Sequence, residues 1–200
     1  SAAETLSLNP EIRQTCLDCF TATFQQPPAV IARAPGRLEV LGNHTDYNEG
    51  LVISCAVDRS TWFMASPSPD DTFRIKLAAD NDETTFTLAD LDSPIKGHWS
   101  NYVKGVIVEL QARGHQVSPF QAVLMGDVPL SAGMSSSAAL EMAACLAIAF
   151  VVFYTVQFSR SQESPVWNAR ALPITSLPFP SLRCVALPSL PFLSPPPPPP

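Results

Sequence analysis

A run of small and hydroxyl-bearing residues ahead of a helix-forming segment is the first candidate for chemistry. Its members form one uninterrupted stretch: Ser131, Ala132, Gly133, Met134, Ser135, Ser136 and Ser137. The first backbone N–H groups of a helix have no intrahelical partner, and the helix dipole places partial positive charge beside them. Small side chains let a phosphate approach that backbone, and serine hydroxyls can reach a phosphate or a metal ion. This serine stretch therefore predicts an anion site, although a serine-capped helix without a ligand would use the same residue types.

A second polar cluster follows a strand-like segment nearer the N-terminus. Arg37 offers a fixed positive charge that suits an anion or the charge that develops in a transition state. Further along, amide, imidazole, hydroxyl and carboxylate side chains come in succession: Asn43, His44, Thr45 and Asp46. Donors and acceptors of this kind sort sugar hydroxyls. A plain hydrophilic turn would account for the Asn-Glu-Gly sequence that ends the cluster, but it accounts less well for His44 and Asp46.

The two clusters resemble motifs of the GHMP kinases. The segment APGRLEVLGNHTDYNEG, which begins at Ala34, is similar to the galactokinase signature, and DVPLSAGMSSSAALEMA, which begins at Asp127, is similar to the second motif of the superfamily. The HTDYN run is typical of galactokinases and is lacking in the mevalonate and homoserine kinases. A Walker A loop is excluded because no lysine follows Gly133. The resemblance covers roughly residues 29–149.

The resemblance implies a role for each matching residue. Arg37 would stabilise the transferring phosphoryl group, and residues 43–46 would bind the sugar. The serine stretch would hold the phosphates of ATP, with Ser137 or Ser136 contacting Mg²⁺. Asn43 departs from the glutamate that is common at that point, so a charge-assisted hydrogen bond, roughly twice as strong as a neutral one, would be lost. This departure leaves the preferred sugar open.

The resemblance also implies a reaction and a fold. The reaction is transfer of the γ-phosphate of ATP to the anomeric hydroxyl of galactose, giving galactose 1-phosphate, with ATP and Mg²⁺ as cofactors. The fold is α/β (α+β), the GHMP kinase N-terminal domain of the ribosomal protein S5 domain 2-like type, with a mixed sheet and helices on one side. The run WSNYVKGV, which begins at Trp99, also matches galactokinases, where this region lies near the nucleotide base.

Hydrophobic periodicity predicts the elements that position these clusters. The expected bounds are helices over residues 9–24 and 98–113, and strands over 30–34, 51–65, 73–77, 84–88 and 120–125. A turn is expected at Pro35-Gly36, followed by strand character from Leu38 to Leu41. Residues 55–57 and 62–64 are expected in the core, and the alternating segments 73–77 and 84–88 are expected to pair. The last strand would lead into the serine stretch and its helix.

Composition narrows the class of protein. A formal net charge of −6 over 200 residues argues against a general nucleic-acid binder, which usually has a basic face. Five scattered cysteines, with a lone CxxC at Cys16 and Cys19, favour reduced thiols in a cytoplasmic protein over a zinc or disulfide framework. The first residues lack the pattern of a signal peptide. Residues 142–158 are uncharged and reach the ~17-residue lower limit of a membrane span, but they continue the serine-stretch helix, so a buried helix is favoured.

The composition changes sharply after residue 150. All eight glycines and 26 of the 30 charged residues come earlier, whereas the last fifty residues hold 12 of the 21 prolines and end in six of them. Three segments are therefore expected: a helical segment at 1–28, the galactokinase-like domain at 29–150, and a proline-rich tail at 151–200. Disorder is expected from about Ser159 onward, because prolines favour an extended rod.

Two parts of the resembling family have no counterpart in this sequence. One is the aspartate-bearing segment downstream of the serine motif, since the last aspartate is Asp127. The other is the glycine-rich third motif. We therefore expect little or no activity from these 200 residues. Two alternatives stay open: a non-catalytic sugar- or ATP-binding relative whose tail makes a weak SH3-type contact, or the product of a faulty gene model, whose exposed apolar faces would aggregate.

Overall fold

Five strands rich in apolar residues form a mixed sheet at the centre of the protein. The computed structural model describes residues 10–42, 51–129 and 133–160, with side chains through Val151. The helices and strands are, in chain order, α1 (Pro10–Phe24), β1 (Val30–Leu41), β2 (Ile53–Pro67), β3 (Phe73–Leu77), β4 (Asp82–Phe86), α2 (Ser100–Ala112), β5 (Phe120–Gly126) and α3 (Ser136–Arg160). The strand order is β1-β2-β5-β3-β4, and only the pair of β3 and β5 is parallel. The described residues belong to one compact unit, Ser1–Glu163.

Both faces of the sheet are covered by helices. On one face, Phe63 and Ala65 of β2 belong to a core formed with α2 and α3. On the other, Trp62 and Met64 pack with Cys16 and other residues of α1. The prediction of helices on one side is therefore wrong, because a central strand with apolar residues at successive positions needs cover on both faces. Burial also raises the pKa of the Cys16 thiol to about 12, as expected for a reduced core cysteine.

Most of the predicted elements are confirmed. Both helices, the pairing of β3 with β4, and the strand that leads into the serine stretch lie within a few residues of their expected bounds. The turn expected at Pro35-Gly36 is wrong, since β1 runs through it with a register shift between Pro35 and Arg37. Helix α3 continues through residue 150 to Arg160. None of the helices in the described residues has both the length and the apolar character needed to cross a bilayer.

Strands β1 and β2 extend past the rest of the sheet as a two-stranded ribbon. Strand β5 pairs with β2 only over Thr61–Pro67, so residues 37–41 and 53–56, here called the distal ribbon, pair only with each other among the described residues. Cys55 and Ala56 are exposed and Val57 is half-buried, so the expectation that residues 55–57 enter the core is wrong. Among the described residues, no third strand pairs with this part of the ribbon.

Candidate active site

Strand β1 brings Arg37 to the serine stretch. The backbone N–H of Arg37 donates a hydrogen bond of 3.0 Å to the carbonyl oxygen of Met134. Gly36 makes this approach possible, because a Cβ at that position would lie 2.9 Å from the same oxygen, closer than side chains come to backbone. The glycine is therefore required by a close contact between two segments. Two sequence-predicted site residues, far apart in the chain, meet at this point.

The serine stretch leads directly into α3. Helical hydrogen bonding begins where the N–H of Ala139 donates to the carbonyl oxygen of Ser135 at 3.0 Å. Ser135 has a φ of 53°, a left-handed backbone conformation that is uncommon outside glycine and tends to occur at functional sites. Ser136 and Ser137 follow on the first turn and are half-buried. The described residues include the strand and the helix N-terminus that the sequence predicts, and phosphate binding by the serine stretch stays a prediction.

A carboxylate that the sequence reasoning missed lies beside Arg37. Nη2 of Arg37 is 3.7 Å from Oε2 of Glu39, and the two side chains share one side of β1 because they are two residues apart. The other oxygen of that carboxylate, Oε1, is buried and has no hydrogen-bond partner among the described residues. The period-two pattern of the predicted strand from Leu38 to Leu41 was the signal that could have placed Glu39 on this side.

The predicted sugar-binding residues lie outside the described residues. They are Asn43, His44, Thr45 and Asp46, and the same holds for two residues of the serine stretch, Ser131 and Ala132. The flanking residues are described: Gly42 has a φ of +94°, and a Cβ there would lie 2.5 Å from the carbonyl oxygen of Leu51. The two ends that flank residues 43–50 therefore lie side by side at the end of the distal ribbon, the ribbon that carries Arg37. Sugar binding by residues 43–46 stays a prediction.

The side chains at the start of α3 fit a hard cation in part. Mg²⁺ takes oxygen ligands and is usually held by one or two protein groups together with substrate phosphates. Ser137 offers a hydroxyl on the first turn, and burial raises the pKa of the Glu141 carboxyl one turn further along. Within residues 10–42, 51–129 and 133–160 no three His, Cys, Asp or Glu residues cluster as a metal site would require. Ser137 as a metal ligand stays a prediction.

The start of α2 is held by internal polar contacts. The indole N–H of Trp99 donates to the Asp82 carboxylate at 2.7 Å. The buried Lys104 ammonium donates to the carbonyl oxygens of Asp90 and Ser93, each at 3.1 Å, and lies 4.9 Å from the ring centre of Phe86. These contacts within the fold are sufficient to explain the presence of Trp99 and Lys104.

Comparison with known proteins agrees with the order of these segments. Residues 18–67, which include Arg37, match the galactokinase galactose-binding signature, and residues 101–162, which include the serine stretch from Gly133 to Ser137, match the GHMP kinases N terminal domain. A galactokinase from Roseiflexus sp. (strain RS-1) is 43% identical over 116 residues, which are 58% of this chain and 29% of that relative. Over these two segments the chain resembles the galactokinases of the GHMP kinase superfamily. It spans less than a third of the length of this galactokinase relative.

Solved structures show that this chain shares the fold of GHMP kinases. The structure of Lactococcus lactis galactokinase complexed with galactose superposes with a TM-score of 0.61 at 28% identity, over 66% of this chain and 35% of that one. The Methanococcus jannaschii mevalonate kinase superposes with a TM-score of 0.54 at 20% identity, over 62% of this chain and 40% of that one. The second likeness concerns the fold alone. The predicted GHMP kinase fold class is confirmed.

Proposed function

We propose that this chain carries the phosphate-binding and sugar-binding part of a cytoplasmic galactokinase, a phosphotransferase with an alcohol group as acceptor. The whole enzyme would transfer the γ-phosphate of ATP to the anomeric hydroxyl of galactose. One observation carries the proposal: the hydrogen bond from the backbone N–H of Arg37 to the carbonyl oxygen of Met134, which holds the strand that carries this arginine against the loop at the start of α3. A helix N-terminus and an arginine at one place suit a phosphoryl group better than either does alone.

Each side of the site has a distinct task in this proposal. The backbone N–H groups at the start of α3 hold the phosphates of ATP, because they have no intrahelical acceptor. The Arg37 guanidinium donates to the oxygens on which charge develops, which is the main contribution of a protein to phosphoryl transfer. Ser137 holds Mg²⁺ through its hydroxyl, and the ion supplies charge neutralisation on the phosphates. Sugar binding falls to Asn43, His44, Thr45 and Asp46.

Galactose is the proposed sugar because the relatives of this chain point to it. The galactose-binding signature matches at residues 18–67, and the galactokinase structure that contains galactose is 28% identical. Asn43 is expected to reduce discrimination between related sugars, since an amide forms a weaker hydrogen bond to a hydroxyl than a carboxylate does. The chain covers less than a third of its galactokinase relative. We therefore propose that these 200 residues bind ligands but turn over slowly or not at all, and that the SH3-type contact of the tail is at most weak.

Equilibrium binding tests this function without requiring turnover. The chain is titrated with ATP and Mg²⁺, and separately with galactose, by calorimetry, and its thermal transition is recorded in parallel. Both ligands are expected to bind. Ser137→Ala is expected to weaken ATP binding in Mg²⁺ by about tenfold, the loss of one hydrogen bond to a charged group, and to leave galactose binding unchanged.

The controls separate a failed function from a failed fold. Ser68→Ala changes a half-buried serine after β2, whose hydroxyl donates to the Asp70 carboxylate at 3.2 Å, and it is expected to leave both affinities unchanged. A chain that unfolds cooperatively and binds neither ATP nor galactose would contradict the proposal. A chain with no cooperative transition would favour the alternative in which the product is not a folded protein. Complementation of galactokinase-deficient cells would contradict the expectation of little activity.

A further inference from the structure

The Arg37 side chain reaches solvent, although its backbone is fixed. Its backbone N–H is bonded to Met134, yet 57% of its side chain is exposed. A long exposed side chain samples many rotamers, and a guanidinium that is to meet a phosphoryl group must be held in one of them. A neighbouring group of the protein must therefore restrict the rotamers of the Arg37 side chain.

The side chain of Glu39 is in place to do this. It is 22% exposed, shares one side of β1 with Arg37, and its Oε2 lies 3.7 Å from Nη2. Register shifts fall immediately before and after the segment, between Pro35 and Arg37 and between Glu39 and Leu41. Such irregularities re-aim side chains next to active sites. The pair therefore sits on a short regular piece of strand with a defined direction.

In the pair of Arg37 and Glu39, one carboxylate oxygen still lacks a hydrogen bond among the described residues. Oε1 is buried without a hydrogen-bond partner among the described residues, a situation that costs free energy until a donor arrives. A guanidinium carries a fork of donors that can engage both oxygens of one carboxylate. The cation already beside this carboxylate is Arg37. Because Oε1 is buried, a dissolved sugar cannot reach it without a movement of the side chain, which argues against Glu39 as a sugar ligand.

We propose that Glu39 is the positioning residue of Arg37. It holds one edge of the guanidinium against β1 and leaves the other donors for the transferring phosphoryl group, a role that rests on the proposed kinase function. The contact itself, however, is a property of this chain alone. It can therefore be measured in the absence of any ligand.

The test records the guanidinium of Arg37 directly. In the full ¹⁵N-labelled chain, the Nε–H signal of Arg37 is assigned by its loss in Arg37→Lys. Glu39→Gln is expected to speed exchange of this proton with water and to move the signal toward that of an unpaired arginine, whereas Glu39→Asp keeps part of the effect. Glu109→Gln is the matched control, because it breaks the ion pair between Glu109 on α2 and Arg113, the residue that follows this helix, and should leave the Arg37 signal unchanged.

Binding adds a second readout. Glu39→Gln is expected to weaken ATP binding by at least about threefold, as for contacting residues that act together, and to leave galactose affinity unchanged. An unchanged Arg37 signal in Glu39→Gln would overturn the proposal, as would a loss of galactose affinity with no change in that signal. If the signal responds but the wild-type chain binds no ATP, the positioning contact stands and the kinase function fails.

Discussion

The two ends of the β1–β2 pair have similar apolar residues and opposite environments. At the inner end, residues 60–66 of β2 are buried, because β5 lies alongside and helices cover both faces. At the distal ribbon, Leu41 is 64% exposed, and Leu38, Val40 and Ile53 are exposed as well. Apolar composition therefore predicts the strand, while the neighbours decide whether it is buried. The inner end carries the stability of the fold, and the distal ribbon carries Arg37 and Glu39.

The largest expected effect comes from emptying the inner end. Phe63 is fully buried, and its ring lies edge-to-face 6.2 Å from that of Phe120. Phe63→Ala leaves a cavity and is expected to lower the free energy of unfolding by about 3–5 kcal/mol. Urea denaturation followed by circular dichroism measures this change. A variant with no cooperative transition at all would agree with the upper part of this range.

The matched change in the distal ribbon is Leu41→Ala. Because most of Leu41 already contacts solvent, the free energy of unfolding is expected to change by less than about 0.5 kcal/mol. A loss comparable to that of Phe63→Ala would mean that the ribbon is covered in solution. The two ends of the β1–β2 pair would then not differ in burial in the folded protein.

Gly36→Ala tests the contact between β1 and the serine stretch. A Cβ there would lie 2.9 Å from the carbonyl oxygen of Met134 and 3.0 Å from a methyl group of Val57, so Gly36→Ala forces β1 and the serine stretch apart. We expect a loss of about 1–3 kcal/mol in the free energy of unfolding, as for overpacked sites, and faster hydrogen exchange at the Arg37 amide. ATP binding should weaken with it.

Gly105→Ala is the control for this change. Gly105 lies within α2, and a Cβ there meets nothing within 4 Å. Alanine is expected to stabilise the helix by about 0.5–1 kcal/mol relative to glycine. If Gly36→Ala behaved in the same way, the close approach of β1 to the serine stretch would not hold in solution, and the site would need another means of joining Arg37 to α3.

The same contrast explains how much could be predicted from the sequence. Helix α2 and strands β3 and β5 follow from local periodicity, which one segment carries by itself. The Pro-Gly pair that ends at Gly36 has the composition of a turn, but its glycine serves a contact with a segment about a hundred residues away. The burial of the Glu39 carboxylate depends on tertiary neighbours in the same way, because a charged residue in a strand is expected to face solvent. The sequence of α1 likewise does not indicate which face of the sheet this helix covers.

Helix α3 shows the same change of environment along its length. Its first residues, through Ala138, are half-buried or exposed, and Ala139 and Ala143 are buried. Glu141 lies at this transition, and burial raises the pKa of its carboxyl. The folded protein therefore holds this proton more tightly than the unfolded chain does. The resulting stabilisation is complete below the ordinary pKa of glutamate and is lost as the pH rises through the raised value.

Glu141→Gln should therefore stabilise the protein at neutral pH and lose this advantage in acid. The expected gain in the free energy of unfolding at pH 7 is about 0.5 kcal/mol or less, since the side chain is only half-buried.

Asp90→Asn is the control of opposite sign. Asp90 accepts hydrogen bonds of 2.8 Å from the backbone N–H and the hydroxyl of Thr87, which lower its pKa, so its contribution is present at neutral pH and lost as the pH falls through the lowered value. Urea denaturation from neutral pH to below the ordinary pKa of aspartate should then show opposite trends for the two variants. A Glu141→Gln profile that matches the wild type would mean that this carboxylate is as hydrated as a surface group, and that the buried part of α3 begins further from the candidate site than Ala139.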